Sequence, residues 1–158
     1  MIIRRFGHRT VLNLSMKRDV EKFGVTAVEI KNFIDEIDCP KIPAKAEDGA
    51  YFAFVFVGSL TTRKGVLLLL KTFYKLSKVH ANLKLHLVGD GPEINKVRKF
   101  VKDKNLGEVV IIHGQLETPL EIVSRSDYFV LPSLSEGTSR AAMEALYLGL
   151  PCILRNVD

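Results

Sequence analysis

From residue 51 onward the chain alternates two kinds of segment, and this alternation constrains the fold more than any other feature. Residues 51–57 form an unbroken apolar and aromatic run, and shorter apolar runs follow at 83–88, 109–112, 128–131 and 152–154. Runs like these suit strands buried on both faces, as in a parallel sheet. Between them lie amphipathic stretches. In 64–80, Val66, Leu69, Leu70, Phe73 and Leu76 recur at helical spacing among Lys71, Lys75 and Lys78. Residues 93–104 repeat the pattern with Ile94, Val97, Phe100 and Val101. A shorter helix is expected over 119–126 with Pro119 in its first turn, and another over 139–148, stopped by Gly149-Leu150-Pro151. Strand and helix therefore alternate up to a fifth strand. That order predicts an α/β fold: a doubly wound, mostly parallel, Rossmann-like sheet with right-handed crossovers.

Residues 1–50 break the pattern. A helix is expected over 17–23, ended by Gly24, and a short strand over 27–30. Residues 39–49 carry two prolines and few large apolar side chains, so they read as a linker. The chain thus divides into an interdomain segment and linker (1–48) and a Rossmann-like domain (49–158).

Composition narrows the function. At 47% hydrophobic and 26% charged residues, the chain has the make-up of a folded soluble domain and not of a disordered tail. Its net charge of +5 favours anionic partners such as nucleotides and phosphates, or marks no more than a basic surface. The basic residues are spread over helix faces without interleaved aromatics, so nucleic-acid binding is not expected. Cys39 and Cys152 make no disulfide framework, and the four histidines are too scattered for metal-ligand spacing, so no metal is expected. No apolar run approaches the ~20 residues that span a bilayer. A cytoplasmic location is expected, with peripheral membrane contact open to a longer parent.

In open α/β sheets, ligands bind beyond the carboxyl ends of the strands. Four loops leave such ends: 58–65, 89–92, 113–116 and 132–138. In the first, Gly58 follows the strand and Lys64-Gly65 opens the helix, a pattern suited to an anion at a helix N-terminus. It lacks the Gly-Lys-Ser/Thr ending of a Walker loop, and no Gly-x-Gly-x-x-Gly follows the first strand as in dehydrogenases. Gly89 and Gly91 read either as tight turns or as close approach to a ligand. In the last loop Glu136 falls before the helix and Glu144 eight positions later, an axial offset of roughly 12 Å. Carboxylates that far apart do not work as a close acid–base pair. They can instead hold two hydroxyl-bearing ends of one extended ligand, with the Gly137 and Thr138 amides at the helix N-terminus between them. Alternatively, Glu136 complements the helix dipole and Glu144 is an ordinary solvated helix residue.

Taken together, the blocks Phe56-Val57-Gly58-Ser59-Leu60, Lys64-Gly65, Leu87-Val88-Gly89-Asp90-Gly91-Pro92-Glu93, His113-Gly114, Ser126-Asp127-Tyr128-Phe129-Val130-Leu131-Pro132-Ser133, Glu136-Gly137, Glu144-Ala145-Leu146 and Gly149-Leu150-Pro151 match a known pattern in order and spacing. Over about 51–154 the chain resembles the retaining family-4 glycosyltransferases of GT-B architecture, specifically their C-terminal donor domain. Upstream, Ser15, Gly24-Val25, Asn32 and Asp35 resemble the segment that leads into that domain.

The resemblance implies one half of a GT-B fold that binds a nucleotide-diphosphate sugar for metal-independent transfer with retention. It implies that Glu136 contacts the donor sugar and Glu144 the ribose. It implies that Lys64 neutralises the departing diphosphate, assisted by the Gly137 and Thr138 amides and by the loop at Gly58. The loop around Gly114 and Leu116 would meet the base.

Two departures accompany the match. Ser59 stands where the family usually has arginine, with Arg63 nearby in sequence, and the acceptor domain with the later donor-domain strands lies outside these 158 residues. The chain therefore reads as a fragment whose transfer activity would need the missing half. A sheet ending at 152–154 would leave an edge open to self-association. The competing readings are a nucleotide-binding domain without catalysis and a structural α/β domain that binds no nucleotide.

Overall fold

The computed structural model describes residues 10–30 and 51–157. The linker expected over 39–49, together with Asn32, Asp35 and Cys39, lies outside the described residues.

Five parallel strands form the main sheet: β3 (Phe52–Val57), β4 (Leu83–Val88), β5 (Val110–Gly114), β6 (Tyr128–Leu131) and β7 (Cys152–Leu154). Their order is β5-β4-β3-β6-β7. The chain winds outward from β3 through β4 to β5, then returns to lay β6 on the other side of β3. The sequence-predicted α/β doubly wound fold is therefore present, and the switch in winding direction falls between β3 and β6.

Four helices connect these strands: α2 (Val66–Ser77), α3 (Ile94–Asp103), α4 (Leu120–Ser124) and α5 (Arg140–Tyr147). Side chains alternate across a strand, so Phe54 and Phe129 lie on opposite faces of the sheet. Helix α2 covers the Phe54 face, with Phe73 edge-on to Phe54 at 5.6 Å, and α3 extends this layer through Tyr74 and Phe100. Its buried Val66, Leu69, Leu70 and Phe73 follow the spacing read from the sequence. Helix α5 covers the other face. Its small buried Ala142 and Ala145 bring the helix close to the sheet, and Cys152, in register with Phe129, points its Sγ at Ala142 O. The core runs through both layers, with Val55, Phe56, Leu60, Leu85, Leu87, Val97, Val123 and Phe129 fully buried.

Two glycines explain how the loops above the sheet close together. Gly65, at φ +73, places its backbone where an added Cβ would stand 2.4 Å from Pro132 O. The start of α2 therefore presses on the loop after β6. At Gly89 an added Cβ would meet Gly58 O at 2.0 Å, which locks the β4 loop onto the β3 loop. For Gly89 the close approach is to another loop of the chain.

The N-terminal segment differs from the sequence reading in detail. Helix α1 spans Leu14–Glu21, three residues earlier at its start than the expected 17–23, because Asn13 supplies the N-cap through its side chain to Met16 N. A short strand β1 (Thr10–Val11), not anticipated, pairs in parallel with β2 (Val28–Glu29). Among the described residues no helix is long and apolar enough to cross a membrane.

Candidate functional site

The strands are parallel, so the loops after β3, β4, β5 and β6 emerge at the same end of the sheet. Lys64 is carried by the loop after β3 and Glu136 by the loop after β6, on either side of the switch point. Lys64 Nζ donates to Glu136 Oε1 at 2.6 Å, and both side chains are largely buried, 14% and 17% exposed. Arg63 joins from the more exposed side: its Nη1 stands 3.5 Å from Glu136 Oε1 and donates to Ser135 O at 2.7 Å. Leu134 N donates to Arg63 O, so backbone as well as side chains ties the two loops.

Burial pushes the Glu136 carboxyl up, but hydrogen bonding from Lys64 and Ser133 and the charges of Lys64 and Arg63 outweigh it and hold the carboxyl below its ordinary value. Ser133 Oγ is buried and closes no tight hydrogen bond among the described residues, yet it lies near enough to Glu136 to favour the carboxylate. The arrangement is a carboxylate and two cations in a partly dry crevice, able to meet an anion and a hydroxyl side by side.

Beside this cluster a cavity of about 290 Å³ is lined by Gly58, Ser59, Asp90, Gln115, Leu116 and Pro119, among others. The strand next to it carries a bulge. Leu87 pairs with Ile112 and Val88 with Gly114, leaving His113 as the extra residue. The bulge turns Gly114 to φ +71 and lets Gly89 N reach Gly114 O at 2.7 Å, which fixes the start of the loop that carries Leu116. His113 stacks on His86, with Nε2 and Nδ1 2.9 Å apart, and burial lowers its pKa.

The structure thus gathers Arg63, Lys64 and Glu136 in one cluster and sets Gly58, Ser59 and Leu116 around one cavity, while Gly114 accepts from Gly89 N and is not part of the lining. Two placements differ from the sequence reading. Helix α5 begins at Arg140, with Ser139 as N-cap accepting from Ala142 N, so the Gly137 and Thr138 amides lie in the loop before the helix and not at its N-terminus. Helix α2 begins at Val66, so Lys64 sits in the preceding turn. Glu144, one turn after Arg140 and 3.5 Å from its guanidinium, lines neither this cavity nor the cleft beside Glu136. Sequence reasoning missed Ser133, Asp90, Gln115 and Asn13, the last of which reaches Gly137 O from 124 positions away. Asp90 and Ser133 stood in the matched blocks and Gln115 in a loop leaving a strand, with no role assigned to any of them. Asn13 gave no signal. Among the described residues no three of His, Cys, Asp and Glu gather as a metal-holding group.

A doubly wound sheet of this kind, with its ion cluster at the switch point, is the architecture of one half of a GT-B fold. The family profile described as "Glycosyl transferases group 1" matches residues 40–158, and the chain belongs to that family. It is 35% identical over 102 residues to an uncharacterized glycosyltransferase of Methanocaldococcus jannaschii, covering 65% of this chain and 25% of the relative. It is 32% identical over 134 residues to the Escherichia coli O-antigen biosynthesis glycosyltransferase WclY, covering 81% of this chain and 37% of the relative. The chain therefore spans a quarter to somewhat over a third of these relatives. Among solved structures, S. aureus TarM bound to UDP superposes with a TM-score of 0.86 at 22% identity, over 99% of this chain and 31% of that one. Anabaena Alr3699/HepE with UDP-glucose superposes with a TM-score of 0.80 at 15% identity, over 97% of this chain and 46% of that one. Both likenesses concern the fold.

Proposed function

We propose that this chain is the donor-binding part of a glycosyltransferase: it holds a nucleotide-diphosphate sugar while a longer protein presents the acceptor. The observation that carries this reading is the Lys64–Glu136–Arg63 cluster across the switch point, with the Gly58–Ser59–Leu116 cavity alongside. The UDP and UDP-glucose bound to fold neighbours support a nucleoside diphosphate as the occupant and UDP as the first probe.

In this reading Lys64 and Arg63 face the diphosphate. Their charge stabilises the leaving group as the bond from the anomeric carbon to the phosphate oxygen breaks. Arg63 supplies the second cation that Ser59 does not. Glu136, held ionised by its neighbours, accepts from the donor sugar hydroxyls, and the Gly137 and Thr138 amides face the same ligand from the loop. The nucleoside enters the 290 Å³ cavity, where the backbone at Gly114 and the side chain of Leu116 meet the base. Glu144 holds the ribose once Arg140 releases it. Residues 1–48 act as the segment leading in from an acceptor domain, and 49–158 as the donor domain.

Retention at the anomeric carbon and independence of metal belong to the same proposal. Isothermal titration with UDP, GDP and ADP tests it, with Lys64→Met expected to weaken binding at least tenfold. Chelation by EDTA is expected to leave the affinity unchanged.

A further inference from the structure

The loop that carries Glu136 touches more than its own domain. Asn13 uses both ends of its side-chain amide: Oδ1 accepts from Met16 N and caps α1, while Nδ2 donates to Gly137 O at 2.8 Å. Met16, one turn into that helix, packs on the same residue. A Cβ added at Gly137 would stand 2.8 Å from Met16 Cε and 3.9 Å from Asn13 Nδ2. The backbone of Gly137 is not in the left-handed region, and the atom an added Cβ would meet is the free end of the Met16 side chain on α1. A cleft of about 1130 Å³ opens between the two parts, with Asn13, Met16, Arg18 and Lys22 on the α1 side and Ser135 and Glu136 on the other.

We propose that α1 is a clasp for the glutamate loop, and that Asn13 is a positioning residue that holds Gly137, and through it Glu136, from outside the sheet domain. The consequence for donor binding rests on the function proposed above, whereas the clasp itself is a property of the free protein. One side chain both starts α1 and reaches the loop, so any movement of α1 moves the glutamate. Lys64 and Arg63 hold Glu136 from the sheet side, and Asn13 holds the next residue from the opposite side. The loop is therefore fixed at two points.

Two substitutions separate the clasp from general stability. Asn13→Asp keeps a side-chain oxygen to cap α1 but loses the donor to Gly137 O. In this 158-residue chain, heteronuclear relaxation of the Gly137 and Thr138 amides is expected to show greater mobility in Asn13→Asp, with the amides of β3 and α1 unchanged. Asn13→Ala loses both contacts, and is expected to lower the melting temperature more than Asn13→Asp because the cap of α1 goes with it.

Loop amides that stay as ordered in Asn13→Asp as in the parent overturn the proposal. Titration with UDP and UDP-glucose then reads the consequence. The gain in affinity that glucose brings is expected to shrink between about twofold and tenfold in Asn13→Asp, the reach of one ordinary hydrogen bond, with UDP itself bound as before. A parent chain that binds no nucleotide overturns the donor reading and leaves the clasp to be decided by relaxation.

Discussion

The Lys64–Glu136 pair gives the account a quantitative consequence. Removing one partner of a buried ion pair costs roughly 3–5 kcal/mol, because the remaining charge is left dry. Here Lys64 and Glu136 keep 14% and 17% exposure. In Glu136→Gln a neutral acceptor also remains in place, so the expected loss is about 1–3 kcal/mol. For a chain of this length each kcal/mol moves the melting temperature by roughly 2–4 °C, so a fall of about 2–12 °C is expected.

The loss has a chemical signature. In Glu136→Gln, Lys64 and Arg63 have no carboxylate opposite them, and an added anion can take its place. Pyrophosphate is therefore expected to stabilise Glu136→Gln more than the parent, in which the ligand must displace an internal carboxylate. Differential scanning fluorimetry of the parent, Glu136→Gln, Lys64→Met and the double variant, each with and without pyrophosphate, measures both effects. Single-variant losses that simply add in the double variant, or an identical pyrophosphate response in the parent and Glu136→Gln, would refute the reasoning.

Two further predictions follow from the same geometry. Burial lowers the pKa of His113, so the folded state resists the proton that the unfolded chain accepts near the usual histidine value of about 6.5. Stability is expected to fall as pH drops below that value, and His113→Gln is expected to flatten that part of the urea-denaturation profile. Gly65→Ala puts a side chain at φ +73 and 2.4 Å from Pro132 O, and a loss of at least ~2 kcal/mol is expected in equilibrium unfolding.

The sheet was legible because its strands are rich in apolar residues, most of all the central ones, and β4, β6 and β7 fall on the residues expected of them. The ion cluster was only partly legible. Lys64 and Glu136 were singled out by their loops, but their contact across 72 positions is a product of the winding order. Arg63 could be placed near the site only in sequence, and the structure shows its guanidinium on Ser135 O. The start of α5 was misplaced by one residue, which leaves Gly137 and Thr138 in the loop before it, although Ser139 is a favoured N-cap type and carried the signal. The bulge at His113 left no trace, since an extra residue in a strand changes pairing and not composition. Nor did the Asn13 and Met16 contacts with Gly137, which depend on where a separate helix docks.

The central claim is that the crevice at the β3–β6 switch point binds a nucleotide-diphosphate sugar. Calorimetric titration of this chain with UDP, GDP, ADP and their sugar conjugates, alongside Lys64→Met and Glu144→Ala, tests it most directly. The account predicts saturable one-site binding of one nucleotide series, weakened in both variants. A chain that is folded by circular dichroism and binds none of them, or binds one equally well after both substitutions, would contradict it.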